Sequence, residues 1–315
     1  MDARTEEQPD GPPDPGHARF ADLTLGGIDI RVETEDTALS EVITITTVIE
    51  RDDPHRASGG GMEEPDVIDL RDRPRTSTTS QRRRTDVTDR RAGSDPLAGK
   101  FAVVTGATFG VGRAVAHALA ATDARVCVVG HDVDALRRTV AEAPGGTTLF
   151  LRGDLADSAQ IDSIADFVDR IDRPIDILVH AAGTPRGDSL TTATVAQLDD
   201  QYATHVRGPF LLSQRLLPSL RAARGHVVFV NTSAALRSSA DGALYSMTRA
   251  GMRMLADGIR DDARADGVRV TSIYPDLDNG SELAADDIAA NVLHALRMPP
   301  GVEITDIQLR AGIGA

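Results

Sequence analysis

One cysteine in 315 residues excludes an intramolecular disulfide framework. That residue, Cys127, lies in an apolar run, which predicts a buried, inert thiol and suits a reducing cytoplasm. Lysine is almost as scarce, with Lys100 the sole example. No apolar stretch reaches the length of a membrane span. The start, Met1 to Glu7, is acidic and lacks the apolar segment of a signal peptide, so a cytoplasmic protein with no membrane partner is expected. Cysteines and histidines do not fall at metal-ligand spacing, and no glycine-lysine phosphate loop occurs, so no metal is expected. Positive charge is in deficit. The net charge of −14 argues against general nucleic-acid binding and for good solubility.

The charge is uneven. Residues 1–70 carry 18 acidic and 5 basic residues, whereas residues 71–95 carry 8 arginines against 4 aspartates. Residues 1–18, rich in Pro, Asp and Gly, are expected to be disordered. Residues 19–51 read as a small β-rich segment. Leu23, Leu25, Ile28, Ile30 and Val32 alternate around Gly26-Gly27 as in a two-residue hairpin, and Glu41–Glu50 forms a third strand. Residues 52–95 are rich in Arg, Ser, Gly and Pro and read as a flexible linker, with at most a short strand near Val67–Leu70. Three short strands are marginal alone, so the N-terminal segment is expected to lean on a partner surface, in this chain or in another protein.

From Phe101 onward strands and helices alternate. Strands are expected at Phe101–Val104, Arg125–Val129, Thr147–Leu151, Ile175–His180, His226–Val230, Val268–Ile273 and Glu303–Leu309. Helices are expected at Asp132–Ala143, Ser158–Ile171, Thr194–Leu217 (ended by Pro218), Tyr245–Ala265 and Ala285–Leu296. This alternation implies an α/β fold, a Rossmann-type doubly wound parallel sheet over residues 96–315, preceded by the β-rich segment and the linker. The first strand runs into Thr105-Gly106-Ala107-Thr108-Phe109-Gly110-Val111-Gly112 and then an alanine-rich helical stretch. Strand, glycine turn and helix N-terminus form the layout that binds a dinucleotide pyrophosphate, because glycines allow close backbone approach and the helix end offers free N–H groups.

Further ordered motifs follow: Gly153-Asp154-Leu155, Val179-His180-Ala181-Ala182-Gly183, His205-Val206-Arg207-Gly208, Asn231-Thr232-Ser233, Tyr245-x-x-x-Arg249 and Tyr274-Pro275-Asp276. With the glycine turn, they make residues 97–310 resemble a short-chain dehydrogenase/reductase. The resemblance implies an NAD(P)-dependent oxidoreductase that interconverts a carbonyl and an alcohol by hydride transfer. It also implies a homo-oligomer. Dinucleotide contacts are implied for Thr105, Gly106, Thr108, Gly110, Val111, Gly112, His131, Asp154, Leu155, Ala181, Ala182, Gly183, Tyr245 and Arg249.

Catalytic roles are implied for Tyr245, Arg249, Ser233 and His205. A free phenol titrates near pH 10, so an acid/base tyrosine needs a fixed cation beside it. The family places a lysine one helical turn on; here that residue is Arg249, which keeps the charge and can bond ribose hydroxyls but does not give up a proton. Ser233 would orient the carbonyl, although the usual offset from Asn231 falls on Ala234. His205 stands at the family's helix-kinking asparagine and would relay protons near neutral pH. Gly130-His131 after the second strand resembles the NADP-preferring pattern; NAD stays open, since Asp132 lies close enough to face a ribose. Only Asp276–Leu283 separates Pro275 from the next helix, too little for the family's helical lid. That favours a bulky or carrier-tethered carbonyl substrate, with a small-molecule carbonyl kept open, or a catalytically silent dinucleotide-binding scaffold whose N-terminal segment docks a partner protein.

Overall fold

A computed structural model describes residues 19–25, 28–37, 40–49, 68–70, 95–171, 173–183, 189–238, 242–277 and 283–312. The stretch expected to be disordered, 1–18, lies outside the described residues, as does most of the 52–95 linker.

Seven parallel strands form the centre of the chain: β5 (Phe101–Thr105), β6 (Arg125–Gly130), β7 (Thr147–Arg152), β8 (Ile177–His180), β9 (His226–Val230), β10 (Arg269–Pro275) and β11 (Asp306–Leu309). Their order is β7-β6-β5-β8-β9-β10-β11, and every neighbouring pair is parallel. This is the doubly wound Rossmann-type sheet, with the strand order reversing at β5. Four antiparallel strands precede it: β1 (Arg19–Leu25), β2 (Ile28–Thr37), β3 (Ser40–Ile49) and β4 (Ile68–Leu70). The single pair Leu70 to Leu149 joins β4 to the outer edge of β7.

Alternation along the strands sorts their side chains onto two faces. Ala102, Val104, Val126, Val128 and Val228 point into one layer, covered by α1 (Gly110–Ala120), α2 (Val133–Ala141) and α7 (Ala285–Leu296). Phe101, Val103, Cys127, Val129, Val227 and Phe229 point into the other, covered by α3 (Ser158–Asp169), α5 (Gly208–Ala223) and α6 (Ala243–Ala263). Cys127 is fully buried, and burial pushes its thiol up to about 12, so it stays a neutral packing group.

One helix departs from expectation. In place of a single helix from Thr194 to Leu217, α4 (Val195–Tyr202) is followed by a π turn at Ala203–Arg207 and then by α5. Thr194 does start the segment, through a reciprocal capping box with Gln197. Pro218 does not end it: α5 continues to Ala223. Proline costs roughly 3 kcal/mol inside a helix, but here its ring faces solvent while Leu212, Leu216 and Leu220 form a buried stripe. Burying a leucine is worth about 1.5–3 kcal/mol, so the turn after Pro218 is retained by Leu220. The other elements start or stop within a few residues of the expected positions. Among the described residues, no helix is long and apolar enough to cross a membrane.

Candidate functional site

The crevice opens at the C-terminal ends of β5 and β8, where the strand order reverses. Its volume is about 360 Å³. Gly106 (φ +67°) turns the chain out of β5, and Gly110 (φ +56°) starts α1. A Cβ at Gly106 would stand 2.5 Å from Cα of Ala182, and one at Gly112 would strike the carbonyl of Gly106. The turn therefore packs backbone on backbone, which only glycine permits. Phe109 at the N-cap of α1 supplies no side-chain bond, and its first turn holds no acidic residue. The first N–H groups of α1, at the crevice rim, are thus suited to an anionic ligand. These are the features a dinucleotide pyrophosphate requires.

Gly106, Thr108, Gly110, Val111, Gly112, His131, Asp154, Leu155, Ala181, Ala182, Gly183, Tyr245 and Arg249 all line the crevice. Thr105 does not. It is fully buried, donating to the Val179 carbonyl at 3.2 Å and accepting from the Ala181 N–H at 3.3 Å. Its work is to tie β5 to the segment carrying Ala181–Gly183. His131 is exposed at the end of β6, next to Gly130. The neighbouring Asp132 caps α2 by accepting from the Ala135 N–H at 3.0 Å. Asp154 accepts from the Ala156 N–H at 2.8 Å, which shapes the turn after β7.

The catalytic half of the crevice is built on α6. Tyr245 and Arg249 are one turn apart and share a face, with the Arg249 Cζ 5.0 Å from the tyrosine ring centroid. Arg249 is only 7% exposed. Burial lowers its pKa from the usual value, and Tyr245 pulls the other way. Its Nη1 reaches the Met252 sulfur at 3.6 Å, while its Nε is buried without a hydrogen-bond partner. Asn231 joins the end of β9 to this helix by donating to the Arg249 carbonyl at 3.1 Å.

Two expected catalytic residues are placed differently. Ser233 lies outside the crevice lining and donates its hydroxyl to Asp276 Oδ1 at 3.2 Å. Asp276 stands where the family carries glycine, and it supplies the acceptor for this hydroxyl. Ala234, at the usual offset, is buried and has no hydroxyl to offer. His205 does sit in the π turn that kinks the chain, and its ring meets Tyr245 edge-on at 5.6 Å. But it is fully buried, and burial together with Arg249 pushes its pKa down to about 2. In this state the ring is neutral across the physiological range. Sequence reasoning missed two residues here. Thr248 bonds both His205 and the Tyr245 carbonyl, and Asp276 captures Ser233. Thr248 was findable, since it lies at i+3 from Tyr245 on the same helix; Asp276 was visible only as a departure from Pro-Gly.

Comparison with known proteins follows the same lines. The family model described as short chain dehydrogenase matches residues 100–287. An uncharacterised oxidoreductase from Staphylococcus haemolyticus is 26% identical over 226 residues, covering 68% of this chain and 98% of its own. A metagenomic short-chain oxidoreductase solved in complex with NADP superposes with a TM-score of 0.65 at 31% identity, covering 69% of this chain and 99% of its own. A putative betaketoacyl-ACP reductase superposes with a TM-score of 0.62 at 28% identity, covering 69% and 98%.

Proposed function

The chain belongs to the short-chain dehydrogenase family, and from that membership we propose that it is an NADP-preferring oxidoreductase interconverting a carbonyl and an alcohol. The observation that carries this reading is that Tyr245 and Arg249 line the same crevice as the glycine turn of α1. A silent scaffold has no need to keep that pairing.

The crevice fits a nicotinamide dinucleotide. Gly106, Gly110 and Gly112 with the N-terminus of α1 would hold the pyrophosphate, Asp154 and Leu155 the adenine end, and Ala181–Gly183 with Arg249 the nicotinamide end. Bound there, the dinucleotide supplies or accepts the hydride. The chain's own part is the proton. In the reducing direction the Tyr245 hydroxyl donates its proton to the substrate oxygen as negative charge builds on it. The phenolate left behind faces the Arg249 guanidinium, which stabilises it. In the oxidising direction the same phenolate takes the alcohol proton. Arg249 itself stays protonated and acts only as a fixed charge.

Preference for NADP rests on Gly130-His131, which puts a basic side chain and no acid at the end of β6, and on the NADP in the similar metagenomic enzyme. β10 ends at Pro275 and α7 begins at Ala285, so the connection between them is short in sequence. That suits a bulky or carrier-tethered carbonyl, in keeping with the similarity to the putative betaketoacyl-ACP reductase. Exposed apolar side chains support a homo-oligomer. Met247 and Met254 lie seven residues apart on α6 and are 54% and 58% exposed, and Phe210 on α5 is 45% exposed. The test is calorimetry with NADPH and NADH, followed by turnover on a panel of carbonyls. NADPH binding plus turnover that Tyr245→Phe removes is expected. Turnover unchanged by that substitution would place the chemistry elsewhere.

A further inference from the structure

The four strands ahead of the main sheet form a ribbon with two unlike faces. Residues paired across a ladder share a face, and successive residues along a strand alternate. Leu23 pairs with Ile30, and Ile30 with Val48. Val32 pairs with Ile45, and Ile45 with Ile68. The register shift between Arg31 and Val32 puts one extra residue into β3, which brings Ile45 and Val48 onto the same face. By this register ten Val, Leu and Ile residues fall on one face, and charge enters it only at one end, at Arg19, Asp36 and Glu41. The other face carries Asp22, Asp29, Arg31, Glu33, Glu35 and Asp69.

Leu70 carries the apolar face across to Leu149, on the layer of the main sheet covered by α3, α5 and α6. Among the described residues, β1, β2 and β3 pack chiefly on one another and on β4, and no helix lies broadly over them. A sheet with one apolar face needs a second layer against it. The neighbouring stretches 1–18, 50–67 and 71–94 contain only Met1, Met62, Val67 and Val87 as large apolar residues, too few to cover ten. An anionic membrane is disfavoured, because residues 1–70 carry 18 acidic against 5 basic residues.

A second copy of this chain meets each requirement. It brings the same face, so a two-fold contact is self-complementary and leaves no charge unpaired in the middle rows. Two such sheets stack about 10 Å apart. A Val, Leu or Ile side chain has roughly 60–120 Å² of apolar surface to lose, so ten give about 600–1,200 Å² per copy, a range that includes the ~800 Å² per partner of a stable interface. We propose that β1–β4 are a pairing module: the ribbons of two copies stack through the face centred on Ile30 and Ile45, making a β-sandwich that joins two Rossmann-type domains. This contact is separate from the exposed apolar residues of α5 and α6.

The test uses the full chain and needs no substrate, so it stands apart from the oxidoreductase reading. Sedimentation equilibrium should show self-association that Ile30→Thr combined with Val48→Thr weakens by about 100-fold or more, and that Arg31→Thr, on the other face, changes by less than about threefold. Threonine keeps the β-branched shape that suits a strand, so the ribbon is retained while its apolar surface is lost. Association that survives the threonine pair but is lost in Met247→Glu on α6 overturns the proposal. Should the threonine pair fail to fold, the second readout is thiol reactivity. Cys127 is fully buried, so Ile30→Cys introduces the one accessible thiol among the described residues. Its reaction with a thiol reagent is expected to be blocked in concentrated protein and released on dilution, whereas Arg31→Cys reacts at every concentration. Protection that dilution does not release would mean that the chain covers its own face, and free reaction at every concentration would mean that nothing does; either result overturns the proposal. Flotation with phosphatidylcholine vesicles that the threonine pair abolishes would assign the face to a lipid surface and overturn it too.

Discussion

Ser233 donates its hydroxyl proton to the carboxylate of Asp276, 43 residues later in the chain, at 3.2 Å. That bond occupies the one donor of the residue expected to orient the substrate. Ser233→Ala is therefore expected to change kcat less than about threefold, whereas Ala234→Ser, which puts a hydroxyl at the family's offset, should raise kcat about tenfold or more. A single properly placed donor to a developing oxyanion is worth roughly 10²–10³ in rate, so the gain is well within reach of steady-state assays. A large loss in Ser233→Ala would show that the hydroxyl turns back to the substrate during turnover.

Filling the glycine turn should abolish dinucleotide binding without touching the proton chemistry. A side chain at Gly112 runs into the Gly106 carbonyl, so Gly112→Val must displace either the turn or the start of α1. Calorimetry is expected to show no NADPH affinity in Gly112→Val and near-native affinity in Tyr245→Phe. Retained affinity in Gly112→Val would mean that the dinucleotide does not sit on this turn.

Removing the buried cation should separate activity from stability. Arg249→Leu takes away the charge opposite Tyr245 and is expected to lower kcat by about 10²–10⁴. The same substitution replaces a buried, poorly partnered guanidinium with an apolar side chain, which is often neutral or stabilising. Thermal unfolding should therefore show an unchanged or raised midpoint. A fall of several degrees would indicate that Arg249 is primarily structural.

Three buried histidines predict acid sensitivity. Burial holds His180 and His226 to about 3, and burial with Arg249 holds His205 to about 2, against about 6.5 in an unfolded chain. Above pH 6.5 both states are neutral at these sites. Below it the unfolded chain binds protons that the folded chain refuses, so stability is lost as pH falls from about 6.5 toward 3. Each site contributes up to about 1.4 kcal/mol per pH unit, or about 4 kcal/mol for the three between pH 7.5 and 5.5. Urea unfolding across that range is the measurement. His180→Asn should reduce the slope by about a third, since His180 is one of the three; its ring lies 2.8 Å from the Ser213 hydroxyl. A pH-independent stability would mean that these rings are hydrated.

Much of this molecule was readable from local pattern. Strand alternation and the glycine turn are set by backbone periods of two residues and by sterics at single positions, so the doubly wound sheet and the dinucleotide crevice follow from neighbours in sequence. Tyr245 and Arg249 share a face because 3.6 residues make a turn, whatever packs around them. The tertiary structure decided the rest. Pro218 stays inside α5 because Leu220 has a core to enter. Ser233 meets a carboxylate that follows a different strand. His205 is neutral because segments far apart in the chain close over it and bring Arg249 beside it. Burial, local dielectric and the direction of a hydroxyl are sums over everything that packs at a point, and no window of sequence contains those terms.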